Sequence, residues 1–325
     1  MSALLPIPTL PFGDAIPELS TVGPFAFVGV AGPEERHRRG FDMSARLNPT
    51  RRLAIEIEPV AGAYPDLAGQ WRAGSKNCRK GLDVAGIAYD LETIPLLATE
   101  DQILALSKKC VDLGPNLILD ISSMPARVFG LLTSTLLRAT AISELVVLYT
   151  EAGSYSDKNL TSDPQPVEPL PGFAGPLDET PRRLVVSLGF ESLGLRDFLE
   201  NEASRHKIKW LLPFPAKTQW MKRQWRAIQG TTTAQAPASG DLEYAPAWDV
   251  NAAFRALEGW FDIDPHLHLA PFGPKPHTLA MLLFAMEKDL NVSYSQPKSI
   301  RPDGTTGFGQ TWSYLLKTDG SSVIR

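Results

Sequence analysis

Asn116–Tyr149 reads NLILDISSMPARVFGLLTSTLLRATAISELVVLY. Asn116–Ile121 is an apolar run ended by Ser122-Ser123, short enough for a buried strand. Ala126–Ala139 is longer and apolar, which fits a helix, and Pro125 marks its start. Glu144–Tyr149 is a second buried strand rich in Val and Leu. A helix between two strands is the crossover that parallel pairing requires.

The same alternation extends in both directions. Upstream, Phe25–Ala31 (FAFVGVA) is a strand closed by Gly32-Pro33, and Arg52–Glu58 alternates as a half-buried strand. Gly86–Asp90 is a further strand candidate, and Glu100–Leu113 has helical spacing with Thr99 as its cap. Downstream, Gly153–Pro181 holds six prolines and no apolar rhythm, so it reads as a connector. A second series follows: strands at Arg183–Leu188, Lys209–Leu212, His266–Ala270 and Val292–Tyr294. Its helices are expected at Leu193–Arg205, Lys217–Ile228, Val250–Phe261 and His277–Lys288. Gly230–Gly240 (GTTTAQAPASG) is low in complexity and expected to be mobile.

The two series look alike. Each has a first strand followed by Gly and Glu (Gly32, Glu34; Gly189, Glu191). Each later has a strand, a proline-closed loop, an apolar helix and a strand ending in Tyr149 or Tyr294. The expected fold is therefore α/β, with two similar Rossmann-like parallel-sheet halves, an internal duplication, around a shared cleft. The first half spans 1–152, the connector 153–181 and the second half 182–325. The cleft would be lined by Gly32–Arg36, Ser122–Pro125, Gly189–Glu191 and Gly273–His277, because open parallel sheets bind ligands beyond the carboxyl ends of their strands.

Composition narrows the function. A chain of 325 residues with 43% apolar and 21% charged residues is globular rather than fibrous or disordered. No apolar run approaches the ~20 residues of a membrane span. Met1–Phe12 has three prolines and no basic residue, so no secretory signal is expected and a cytoplasmic location is. Two cysteines support neither a disulfide framework nor a four-cysteine zinc site. A net charge of −4 gives no global pull toward nucleic acid.

Several residues carry candidate chemistry. Ser122 and Ser123 stand at a helix start, where hydroxyls and free N–H groups either cap the helix or hold a phosphate. Asp120, at the strand end, suits a ribose or a loop donor. Gly273 permits close backbone approach, Lys275 adds a cation at a helix start, and His277 follows. A lysine there opposes the helix dipole unless an anion is near. Glu34, Asp120 and Glu191 are the acid or base candidates, and Arg36 lies in a dense charged turn that suits either a ligand or a solvated helix start. Residues 203–240 have no Asp or Glu but carry Lys209, Lys222, Arg223 and Arg226 among Trp210, Trp220 and Trp225. That mixture suits a nucleotide, or a helix with its Trp in the core. His266 and His268 share one strand face near Asp262 and Asp264, but HExxH is absent and no metal site is expected. No GxxxxGK[ST], GxGxxG or GxSxG motif occurs, so no cofactor is expected.

Phe272-Gly273-Pro274-Lys275-Pro276, followed by an apolar helix and the strand ending at Tyr294, resembles the pattern of CARF domains. These are Rossmann-like sensors of cyclic oligonucleotides in prokaryotic antiviral defence, and their SAVED relatives look like two such units in one chain. Pro274 stands where the family pattern has a threonine, and the loop of the first half has Ser122-Ser123 and no lysine. The resemblance implies a nucleotide sensor that acts through an effector protein encoded separately. The residues alone leave two other readings open: an enzyme on a phosphorylated or nucleotidyl substrate in the same cleft, and an adapter that binds a partner without ligand.

Overall fold

The structure is a computed structural model that describes residues 7–62, 64–157, 160–175, 183–189, 194–195, 198–199, 207–214, 218–231 and 239–324. The chain forms two compact units, Met1–Asp163 with Lys298–Arg325, and Pro164–Pro297. In chain order the first unit contributes β1 (Thr9–Pro11), α1 (Phe12–Val22), β2 (Ala26–Val30), α2 (Glu35–Ser44), β3 (Arg51–Glu58), α3 (Pro65–Val84), β4 (Asp90–Pro95), α4 (Glu100–Val111), β5 (Asn116–Asp120), α5 (Ala126–Arg138), β6 (Glu144–Tyr155) and β7 (Thr161–Pro164). The second contributes β8 (Glu168–Pro169), β9 (Arg183–Leu188), β10 (Ile208–Pro213), α6 (Thr218–Thr231), β11 (Leu242–Ala245), α7 (Val250–Ile263), β12 (Leu267–Phe272), α8 (Lys275–Lys288) and β13 (Asn291–Tyr294). The chain then returns to the first unit through β14 (Pro297–Ile300), β15 (Thr305–Thr318) and β16 (Ser321–Ser322).

Both units are Rossmann-like. The parallel strands of the first lie in the order β6-β5-β2-β3-β4, those of the second in the order β11-β10-β9-β12-β13. Numbered within each unit, both orders are 3-2-1-4-5. This is the doubly wound pattern, so the shared order establishes a shared architecture and leaves common descent open.

The boundaries differ from the expected ones in two places: the stretch expected as a connector, 153–181, holds the end of β6, β7 and β8, with the units dividing after Asp163, and the C-terminal strands change units. Residues 298–325, expected in the second half, join the first unit: β15 pairs antiparallel with β6 along most of its length and with β1 on its other side. These last strands are amphipathic and lack helix spacing, so the sequence pattern does not say which sheet they join. Helix α3 escapes the pattern because polar residues and glycines occupy most of it and only Ala68, Trp71, Ser75 and Leu82 are buried. The strand expected at Gly86–Asp90 begins at Asp90 instead, since Gly86 adopts a positive φ of 68° in the turn after α3. The helix expected at Leu193–Arg205 falls mostly outside the described residues, as do residues 232–238 of the low-complexity stretch.

Apolar strands and helix stripes build each core. In the first unit Phe12, Phe27, Phe41, Leu82, Ile118 and Val146 belong to one cluster, with Phe27 and Phe41 edge to face at 4.8 Å. Each such ring contributes about 2–3 kcal/mol by leaving water. In the second, Leu184, Val186, Trp210, Leu212 and Phe272 do the same. Helix α8 is buried on every side from Pro276 to Ala285, as its uniform apolarity requires.

Candidate functional site

In a 3-2-1-4-5 sheet the chain runs outward to opposite sides from strands 1 and 4, and a crevice opens between the turns that follow them. In the first unit these are the turns after β2 and β5. They carry Glu34, Arg36, Asp120, Ser122 and Ser123. In the second unit the turn after β12 carries Gly273, Lys275 and His277. Glu191, which follows β9 in the sequence, lies outside the described residues.

The turn after β2 is tightly packed. Glu34 caps α2, and the His37 ring accepts the Glu34 backbone N–H at 3.1 Å through Nδ1. Gly32 has no side chain because a Cβ there would lie 2.3 Å from the His37 ring. The Glu34 Oε2 atom accepts hydrogen bonds from Arg36 Nε at 2.6 Å and from Thr305 Oγ1 at 2.6 Å. Glu34 and Arg36 are only 8% and 7% exposed. Burial alone would raise the Glu34 carboxyl; the charges of Arg36 and His37 and its hydrogen bonds outweigh it and bring the pKa down to about 2. Burial would lower Arg36, but Glu34, Tyr155 and Tyr149 hold it above its ordinary value. The pair is ionised at neutral pH, and a carboxylate this acidic makes a weak general base.

The turn after β5 is a hydrogen-bonded chain. Asp120 Oδ1 accepts from the Ser122 N–H at 2.8 Å and from the Ser122 hydroxyl. Ser122 Oγ in turn accepts the Thr150 N–H at 2.7 Å, and Thr150 Oγ1 meets Thr311 Oγ1 at 3.0 Å. Gly40 of α2 sits against the Asp120 carboxylate, where a Cβ would lie 1.9 Å from Oδ2. Ser122 is thus committed to holding strands and loop together. Ser123 is not the helix cap: Pro125 occupies that position without a side-chain bond, and the buried Ser123 hydroxyl has no hydrogen-bond partner among the described residues. Arg127, in the first turn of α5, donates through Nε to the Ala98 carbonyl at 2.6 Å, just ahead of α4. Arg127 is half-buried and makes no ion pair among the described residues.

In the second unit Gly273 lets β12 approach β9, since a Cβ there would lie 1.9 Å from Ser187 Oγ. His277 is fully buried between Ser187 Oγ at 3.3 Å and the Pro246 carbonyl at 3.0 Å. Burial lowers its pKa to about 4 against the raising effect of Pro246 and Asp249, so the ring is neutral. His277 therefore faces the protein interior. Lys275 is the first residue of α8, whose first turn has no acidic residue. The basic, Trp-containing stretch divides: Trp210 is core, and Lys209 pairs with Asp241 at 2.7 Å, while Trp225 is 37% exposed.

His268 bonds Ser293 Oγ at 2.8 Å and packs on Phe198, and His266 is exposed. Among the described residues no group of three or more His, Cys, Asp or Glu is placed to hold a metal ion. Burial pushes the Cys78 thiol up to about 11 and the Cys110 thiol up to about 12, so neither is a ready nucleophile. Among the described residues no helix is long and apolar enough to cross a membrane.

Arg127 and Thr305 are the site residues that the sequence reading misses. Arg127 had a signal: a cation at a helix start, the feature that singled out Lys275. Thr305 had none, because its partner Glu34 is distant in sequence. Comparison of the chain with models of known protein families gives no match, and a search of curated proteins finds no relative.

Proposed function

We propose that the chain is a nucleotide-binding sensor in which each unit offers a phosphate-binding helix start of its own, after β5 in the first unit and after β12 in the second. One observation carries this reading. Both units place a cation in the first turn of the helix after their fourth strand, Arg127 on α5 and Lys275 on α8, and neither turn has an acidic residue. Each cation opposes its helix dipole by about 0.3–1 kcal/mol. A bound phosphate reverses the sign, because free N–H groups and the cation then act together. A cyclic oligonucleotide as ligand, a cytoplasmic role in antiviral defence and an effector encoded separately follow from the resemblance to CARF and SAVED proteins.

Calorimetric titration against linear and cyclic nucleotides tests the reading. The wild type should bind at least one member of the panel. Lys275→Ala should weaken that binding by ~1.5–3 kcal/mol, the range for a hydrogen bond to a charged group. Unchanged affinity in Lys275→Ala, or a wild type that binds nothing, would end it. An enzyme in the same crevice is less well supported, since the Glu34 carboxylate is fully engaged and Ser122 already both donates and accepts.

A further inference from the structure

Strand β6 outruns its sheet. Its parallel partner β5 ends with Asp120 opposite Leu148, but β6 continues to Tyr155. Those seven further residues span about 23 Å of strand at ~3.3 Å each, and β15 is the strand that accompanies them. The two form an arm with Thr311 opposite Thr150 at its root and Thr305 opposite Tyr155 at its tip. The ladder is interrupted between Phe308 and Thr311 by a bulge. Glycines surround it: Gly307 has a φ of 62°, and a Cβ on Gly153 would lie 2.9 Å from the Thr306 carbonyl oxygen.

The tip of this arm meets the turn after β2. Thr305 donates to Glu34, and the Arg39 guanidinium lies 4.9 Å from the Phe308 ring centre. Glu34 is thus shared between two partners on one oxygen, one in its own helix and one on the arm. A carboxylate on a buried arginine at a helix start is what an anionic ligand would supply there.

We infer that the β6–β15 arm is a lid on the crevice of the first unit, latched by Glu34, and that an anionic ligand group taking over Arg36 frees Thr305 and loosens the tip. The ligand half of this rests on the phosphate-binding reading above; the latch half does not.

Amide hydrogen exchange of the full chain, followed by mass spectrometry over residues 303–312, separates the two. Thr305→Val removes one hydroxyl and keeps the strand's shape. It should speed exchange at the tip at least tenfold while amides of β2 and β5 stay protected. Glu34→Gln should do the same and bind pyrophosphate or ATP more tightly than the wild type. Saturating ATP should speed tip exchange in the wild type. Unchanged exchange in Thr305→Val would overturn the latch, even if Glu34→Gln does not fold. ATP that binds yet leaves or slows tip exchange would overturn ligand-driven opening. If neither pyrophosphate nor ATP binds while Thr305→Val still loosens the tip, the latch stands and the phosphate reading falls.

Discussion

His277 and Glu34 both make the protein acid-sensitive, by opposite routes. Folded His277 stays neutral down to about pH 4, whereas unfolded it takes a proton near 6.5. Stability is therefore lost as pH falls from 6.5 to 4, by roughly 3 kcal/mol, and His277→Gln should remove that slope in urea unfolding followed across this range. Glu34 stays ionised down to about pH 2 and protonates near 4.5 when unfolded. Its contribution, again roughly 3 kcal/mol, is present above 4.5 and lost toward 2. The windows barely overlap, so the second unit should weaken first on acidification. Glycine positions are equally specific. Gly273→Ala puts a methyl 2.9 Å from the Ser187 Cβ as well as against its hydroxyl, and should cost about 1–3 kcal/mol in a thermal melt. Sequence placed Glu34, Asp120 and Ser122 at the strand ends correctly because the apolar runs before them stop abruptly. It could not say that Glu34 is spent on Arg36 and Thr305, since ion pairing depends on what the fold brings near.

Elements were legible where burial is two-sided. β2 is apolar throughout, and β5, β6 and β9 carry the apolar runs Leu117–Leu119, Leu145–Tyr149 and Leu184–Val186, as strands covered on both faces must. Edge and surface elements were not. Strand β4 reads DLETIP and sits at the sheet edge, where Asp90 pairs with Arg51 and Glu92 with Lys109. Helix α5 shows how an element can be finished by a distant part of the chain. Lys317 of β15 donates to the Leu137 and Ala139 carbonyls at 3.0 and 2.7 Å, at the carboxyl end of α5. Lys317→Met keeps the apolar stem and strands both carbonyls. The expected loss is about 1–3 kcal/mol in chemical denaturation; no loss would mean that water replaces the amine at no cost.

At the scale of the molecule, the first unit is discontinuous, and the strand order that the sequence could not supply decides this. Residues 164–297 are an insertion between β7 and β14, and the first sheet is completed by a strand from beyond it. A chain ending at residue 304 should keep its second unit and expose the edge of β6, with aggregation visible by light scattering. The same connectivity sets a timetable during synthesis. β6 leaves the ribosome well before β15, and at 5–20 residues per second the gap is roughly 8–30 s. For that interval the nascent chain carries an unpaired strand edge while the whole inserted unit is being made. Translation speed through residues 164–297, and the chaperones that attend the ribosome, therefore bear on how much of this protein reaches its native form.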